Sequence, residues 1–141
     1  MQVVSSLEGH ERDVHSVAYS VDGRIIASNS NDEARVLIWD AKTGKELKDC
    51  ILTEPCFNST LSFCPPEGGL LAIHNPSEGL EFRQKDSWQV AKRIPSFCNR
   101  FFFSQDGSLL GTTGLLDGVI SLFEVWKLME DTAPRQIEEV E

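Results

Sequence analysis

The chain has 141 residues, room for one ordinary domain. Hydrophobic residues make up 40% and charged residues 25%, which excludes a disordered composition, and no apolar run approaches the roughly 18 residues that span a bilayer. A formal net charge of −9 opposes both the phosphate-neutralising surface of a nucleic-acid binder and attraction to anionic lipid, so neither nucleic acid nor membrane is expected as a partner.

The start of the chain, MQVVSSLEGHERD, lacks the basic n-region and apolar core of a secretory signal. Cys50, Cys56, Cys64 and Cys98 form no CxxC pair, so reduced thiols in a cytoplasmic, or alternatively nuclear, protein are expected. The sequon at Asn58 then reads as chance.

In chain order, residues 14–20 (VHSVAYS) alternate as a strand does, and Asp22-Gly23 supplies a tight hairpin turn. Residues 24–28 form a second strand, residues 29–34 a polar turn, and residues 35–39 a third strand. Thr43-Gly44 turns again, and residues 46–52 read as a fourth strand. The same order recurs. Residues 101–110 (FFFSQDGSLL) match residues 17–26 (VAYSVDGRII), and residues 120–124 match residues 36–40. Residues 61–72 form a degenerate middle copy, followed by Leu80-Glu81-Phe82-Arg83 at the place of the third strand. Tyr19, Phe63 and Phe103 are about 44 and 40 residues apart, as are Trp39, Arg83 and Phe123, the period of a four-stranded unit. Two independent sets of anchors therefore fix one register.

With Gly9-His10, Asp22-Gly23 and Trp39-Asp40 inside one such period, the sequence resembles the WD-repeat β-propeller family. The resemblance covers roughly residues 1–125. It is most specific in the first copy, weaker in the third and weakest in the second. It implies an all-β fold: a partial β-propeller of three four-stranded antiparallel blades, standing as an open arc or as part of an oligomeric or larger ring. The repeats run over about 1–44, 45–88 and 89–125, with 126–141 as a short strand continuation and an acidic mobile tail. Residues 2–7 would be an outer strand belonging to a neighbouring blade.

The resemblance also implies a buried hydrogen-bonded tetrad of His10, Ser28, Asp32 and Trp39, which would satisfy a buried imidazole and indole. The turn that carries Asp32 is one residue longer than the pattern, so Ser30 or Glu33 could take a place in it. The middle copy has Arg83 where the tryptophan belongs, and the third has Phe123; apolar packing is expected to hold both.

His10, Ser28 and Asp32 are also the residue types of a hydrolase triad, but there is no GxSxG elbow, and a tetrad would bury them. Cys50, Cys56, Cys64, His74 and Cys98 lack the short pairs of a structural zinc site, so no metal and no cofactor are expected. Glu78 and Glu81, like Arg83, Lys85, Lys92 and Arg93, read as solvated strand or loop positions. The expected function is a non-catalytic interaction scaffold that presents blade loops to a protein or peptide, with Arg12, Glu33, Phe57, Asn75, Phe97, Arg100 and Leu116 as candidate contacts. An open arc would also expose apolar end faces, which predicts self-association or pairing with other blades. The alternatives are a hydrolase or metal-dependent enzyme on the same scaffold, or a remnant of a larger propeller without an independent role.

Overall fold

A computed structural model describes residues 1–30, 32–51, 60–75, 79–95, 98–114 and 118–130. Three antiparallel sheets follow one another along the chain. Blade 1 contains β1 (Ser16–Tyr19), β2 (Ile25–Ser30), β3 (Arg35–Asp40) and β4 (Glu46–Ile51), paired in sequence order. Blade 2 repeats this with β5 (Leu61–Phe63), β6 (Leu70–Asn75), β7 (Gly79–Gln84) and β8 (Val90–Ile94). Blade 3 has β9 (Cys98–Phe103), β10 (Leu109–Gly114) and β11 (Ile120–Glu124), three strands among the described residues. The fold is thus an all-β partial propeller, as the repeat predicts.

Hairpin chemistry explains the first connection of each blade. Gly23 and Gly107 adopt φ of 75° and 77°, a region closed to most side chains. In blade 1, Asp22 Oδ1 accepts from the Ser20 hydroxyl at 2.7 Å and the Arg24 amide at 3.0 Å. Ser20 Oγ in turn accepts from the Ile25 amide at 3.0 Å. Ser104, Asp106, Ser108 and Leu109 repeat this arrangement in blade 3. These bonds hold the carboxyls of both Asp22 and Asp106 down at about 2. Blade 2 has Cys64 where the others have serine, and burial pushes its thiol up to about 12.

Each sheet packs its faces on its neighbours. Ala27, Val36 and Ile38 of blade 1 meet Leu61, Phe63, Leu71 and Ile73 of blade 2 in one core. Ala72, Leu80 and Phe82, on the opposite face of blade 2, meet Phe101 and Leu110 of blade 3 in a second. A strand buried on both faces reads as a continuous apolar run, which is why alternation is lost in β3. The hairpin turns also stack: a Cβ on Gly68 would stand 2.9 Å from Val21, and one on Gly107 would collide with the Pro65 carbonyl.

Residues 2–7 are unpaired in the single chain, with Leu7 packed against Ile26, Leu37 and Trp39. One expectation is corrected here. Residues 125–130 form a helix, α1 (Val125–Glu130), rather than a strand continuation. The reason is spacing. Val125, Leu128 and Met129 stand at i, i+3 and i+4 and reach the core between blades 2 and 3 together, which a strand's alternation could not do. The Val125 amide, bonded to the Ser108 carbonyl at 2.9 Å, anchors the helix start. The expected tail, residues 131–141, lies outside the described residues.

Candidate functional site

Cross-strand register places Ser28 opposite Leu37 and Ile26 opposite Trp39, so these four share the outer face of blade 1. The N-terminal segment crosses that face. Gly9 is required by close approach, because a Cβ there would stand 2.8 Å from the Trp39 ring and 3.3 Å from Leu37. Its neighbour His10 then points at Ser28.

The Trp39 indole N–H donates to Ser28 Oγ at 2.8 Å, and Ser28 Oγ lies 2.8 Å from His10 Nε2. His10 Nδ1 lies 3.2 Å from Glu33 Oε2. The indole can only donate, so the serine hydroxyl passes its own hydrogen to Nε2, and Nδ1–H donates to Glu33. The Glu33 carboxylate also accepts from the Glu11 and Arg12 amides at 3.0 and 2.9 Å and from Arg35 at 2.9 Å. Burial alone would push the Glu33 carboxyl up, but the Arg12 amide and His10 outweigh it and hold the group below its ordinary value.

Asp32 is therefore corrected: it is exposed on the turn, and the fourth member is Glu33. The turn's additional residue carries Asp32 outward, Ala34 closes the loop at φ 55°, and the longer glutamate side chain reaches back to the imidazole. The same observation removes Glu33 from the candidate contact surface, since its side chain is 6% exposed. Trp39-Asp40 divides its work between the two residues. Trp39 closes the network, and Asp40 Oδ1 accepts from the Lys42 and Thr43 amides at 2.9 and 2.8 Å to fix the following turn.

Serine, imidazole and carboxylate stand here in the order of a hydrolase triad. The environment is wrong for it. Ser28 is 5% exposed, and the oxygen that would attack already accepts the Trp39 N–H. A nucleophile must reach its substrate, and this one is enclosed on both sides.

Blade 2 meets blade 1 through an unforeseen ion cluster. Glu81, expected on a solvated edge, is 1% exposed and bonds Arg83 Nε at 2.8 Å and Arg93 Nε at 3.1 Å. Arg83 also donates to the Trp88 carbonyl at 3.0 Å, so its guanidinium is held rather than solvated. Trp88 occupies the turn position of Gly44, at φ 59°, and packs its buried indole edge-on against Phe63 with centroids 6.5 Å apart. The legible signal was Glu81 and Arg83 two residues apart on one strand, on the same face as Leu71 and Ile73 across the ladder.

Among the remaining candidate contacts, Arg12 is exposed at the approach to β1. Asn75 ends β6 opposite Gly79. Arg100 is exposed but sits inside β9 rather than in a loop, with its amide bonded to Thr113 Oγ1 at 3.2 Å. Antiparallel order brings these three to the same end of their sheets. Phe57, Phe97 and Leu116 lie outside the described residues, as does Cys56. Among the described residues, no three His, Cys, Asp or Glu side chains converge as a metal set, and no helix is long and apolar enough to cross a membrane.

Comparison with known proteins agrees with this architecture. Residues 1–40 match the family model of the WD domain, G-beta repeat. The chain is 32% identical over 130 residues, 88% of its length, to small ribosomal subunit protein RACK1y of Oryza sativa subsp. japonica. It is 32% identical over 128 residues to RACK1z of the same plant. WD repeat-containing protein 18 of Mus musculus is 34% identical over 59 residues, 42% of this chain and 14% of that protein. The chain spans 37% of the length of each RACK1 relative. A Gly-His loop, a Trp-Asp strand end, repeated four-stranded blades and these relatives together place the chain in the WD-repeat family.

Proposed function

We propose that the chain is a non-catalytic interaction scaffold that receives a protein or peptide at the blade end carrying Arg12, Asn75 and Arg100. The observation that carries this reading is the closed state of Ser28: a serine bonded on both sides within a buried network organises a blade, and its hydroxyl is not free to attack a substrate. Exposed side chains at the loop end are then the groups left to act, and rigid sheets present them at fixed spacing. The family resemblance supports the same assignment. Two relatives are named as proteins of the small ribosomal subunit, in keeping with work inside an assembly. The net charge of −9 directs the proposal to a protein surface rather than to RNA phosphate, and the relatives named as ribosomal subunit proteins direct it to a cytoplasmic setting.

Affinity capture with the intact chain, followed by direct binding of the captured partner, tests this. Arg12→Glu and Arg100→Glu are expected to weaken that binding while leaving the fold intact, because both side chains are exposed. Turnover of any ester or peptide substrate that disappears in Ser28→Ala would overturn it.

A further inference from the structure

Blade 1 fills the centre of its outer face with two rings, His10 and Trp39, whose centroids stand 6.3 Å apart and which both bond Ser28. An equal number of residues separates His10 from Ile94, Ser28 from Thr112 and Trp39 from Phe123. Register agrees, since Phe123 lies opposite Leu110 as Trp39 lies opposite Ile26. Blade 3 therefore meets the same position with an isoleucine, a threonine and a phenyl ring.

These side chains neither close a network nor fill its space. Ile94 has no side-chain donor or acceptor, and a phenyl ring is smaller than an indole and lacks the N–H. Thr112 is 8% exposed, and among the described residues its hydroxyl has no hydrogen-bond partner. A cavity of about 80 Å³ lies here, between blades 2 and 3. Leu80 of blade 2, Leu110 of β10 and Leu128 of α1 complete its wall, and Leu80 and Leu110 are each 1% exposed. Phe123, at 41% exposure, is the part of the wall that also meets solvent.

The wall decides what such a space can hold. A buried water needs about two to four polar partners, and the side chains here offer one hydroxyl. An apolar cavity of about 150 Å³ stays dry and takes up benzene or xenon. One of about half that volume suits a molecule of about four or five non-hydrogen atoms.

We propose that this cavity is a binding site for a short-chain alcohol, an apolar body with one hydroxyl. The carbon chain lies against Leu80, Ile94, Leu110 and Leu128. Its hydroxyl pairs with Thr112, at the place where the Trp39 N–H meets Ser28 in blade 1. The site does not rest on the loop-binding reading, and either can fail while the other stands.

Titration of the intact chain with isobutanol, followed through its amide NMR signals, tests this. Saturable shifts are expected at Leu110, Thr112 and Leu128, with a dissociation constant of about 1 mM. Shifts that do not saturate, or that are as large at the exposed apolar residues Val17, Ile120 and Leu122, would overturn the proposal. Thr112→Val keeps the shape of the side chain and removes the hydroxyl. About tenfold weaker alcohol binding is expected in that variant, while xenon, which needs only the volume, still enters. Equal affinity of parent and valine variant for the alcohol would exclude Thr112 as its partner and the ligand class with it. Phe123→Trp changes a side chain that is already partly exposed and restores the blade 1 pattern. It is expected to fill the cavity, donate to Thr112 and abolish binding of both probes, with the β-sheet circular dichroism unchanged. Undiminished binding in a folded Phe123→Trp variant would place the probes elsewhere and overturn the assignment.

Discussion

Blades 1 and 2 share topology, register and turn positions, yet they place opposite chemistry on the same face. Blade 1 carries a relay in which an indole, a hydroxyl and an imidazole satisfy one another before a carboxylate ends the chain. Blade 2 carries one buried carboxylate between two guanidiniums. The sheet face asks only that polar atoms on it be paired, and either inventory meets that demand. What differs is the consequence of a fault. The relay loses bonds one at a time, whereas removal of the single carboxylate leaves two charges facing each other.

The largest effect is expected in blade 1. Trp39→Ala removes the 2% exposed ring that Gly9, Leu7 and Leu37 pack around, and with it the donor to Ser28. A loss of about 4 kcal/mol in unfolding free energy is expected, from the void together with the stranded hydroxyl. Chemical denaturation compared with Trp39→Phe separates the two contributions, since phenylalanine keeps most of the volume and none of the N–H. If both variants lose the same amount, packing around the ring contributes little.

Glu81→Ala breaks the blade 2 side of the comparison. Arg83 is 16% exposed at its side chain and loses its carboxylate, while Arg93 at 47% can turn to water. About 3 kcal/mol is expected, most of it from the uncompensated Arg83. The double variant Glu81→Ala with Arg83→Met is expected to recover part of that loss, because an apolar side chain of similar length suits a face shared with Leu71 and Ile73. A double variant less stable than the single one would show that the guanidinium is held by the Trp88 carbonyl rather than by charge.

These two sites also show what the sequence can and cannot reveal. His10, Ser28 and Trp39 announce themselves because a Gly-His loop and a Trp-Asp end bracket three short strands at a characteristic spacing. The exchange of Asp32 for Glu33 was not decidable there, since an additional residue in a turn leaves open which carboxylate faces inward. Glu81 was misread because a charged residue in a short strand defaults to solvent, and its burial depends on blade 1 covering that face. Helix α1 was misread for a related reason. Its six residues follow directly on β11 and are too few for a helical period to stand out, and the core between blades 2 and 3 fixes which side chains turn inward. Local pattern thus specified each blade, while contacts between blades chose among readings that the pattern allowed.

Acid extends the contrast without any mutation. Glu33 is held below its ordinary value in the folded chain, and Asp22 and Asp106 are held at about 2. A depressed carboxyl lends stability that is complete above its unfolded value and is lost as pH falls through the folded one. Stability is therefore expected to be flat near neutrality and to decline from about pH 4.5 toward pH 2 as these groups take up protons. The decline is expected to begin in blades 1 and 3, because the blade 2 turn has Cys64 in place of the serine and no aspartate to protonate. Amide exchange at Arg24 and Ser108, both bonded to these aspartates, follows it residue by residue. Protection lost first in β6 would contradict the assignment.

The smallest effect concerns a charge pair that spans the two blades. Lys85 of blade 2 reaches Asp22 of blade 1 at 3.2 Å, and both side chains retain substantial exposure. Water and salt screen such a pair, so Lys85→Ala is expected to cost little and to cost nothing measurable in about 1 M salt. Its informative readout is Asp22 itself. The Arg24 amide and the Ser20 hydroxyl lower that carboxyl more than Lys85 does, so Asp22 in Lys85→Ala is expected to keep most of its depression when titrated by NMR. A return to the ordinary aspartate value would instead mean that the turn of blade 1 is shaped by its neighbour. The hairpin would then belong to the interface, and blade 1 could no longer be treated as a unit whose turn chemistry is written in its own residues.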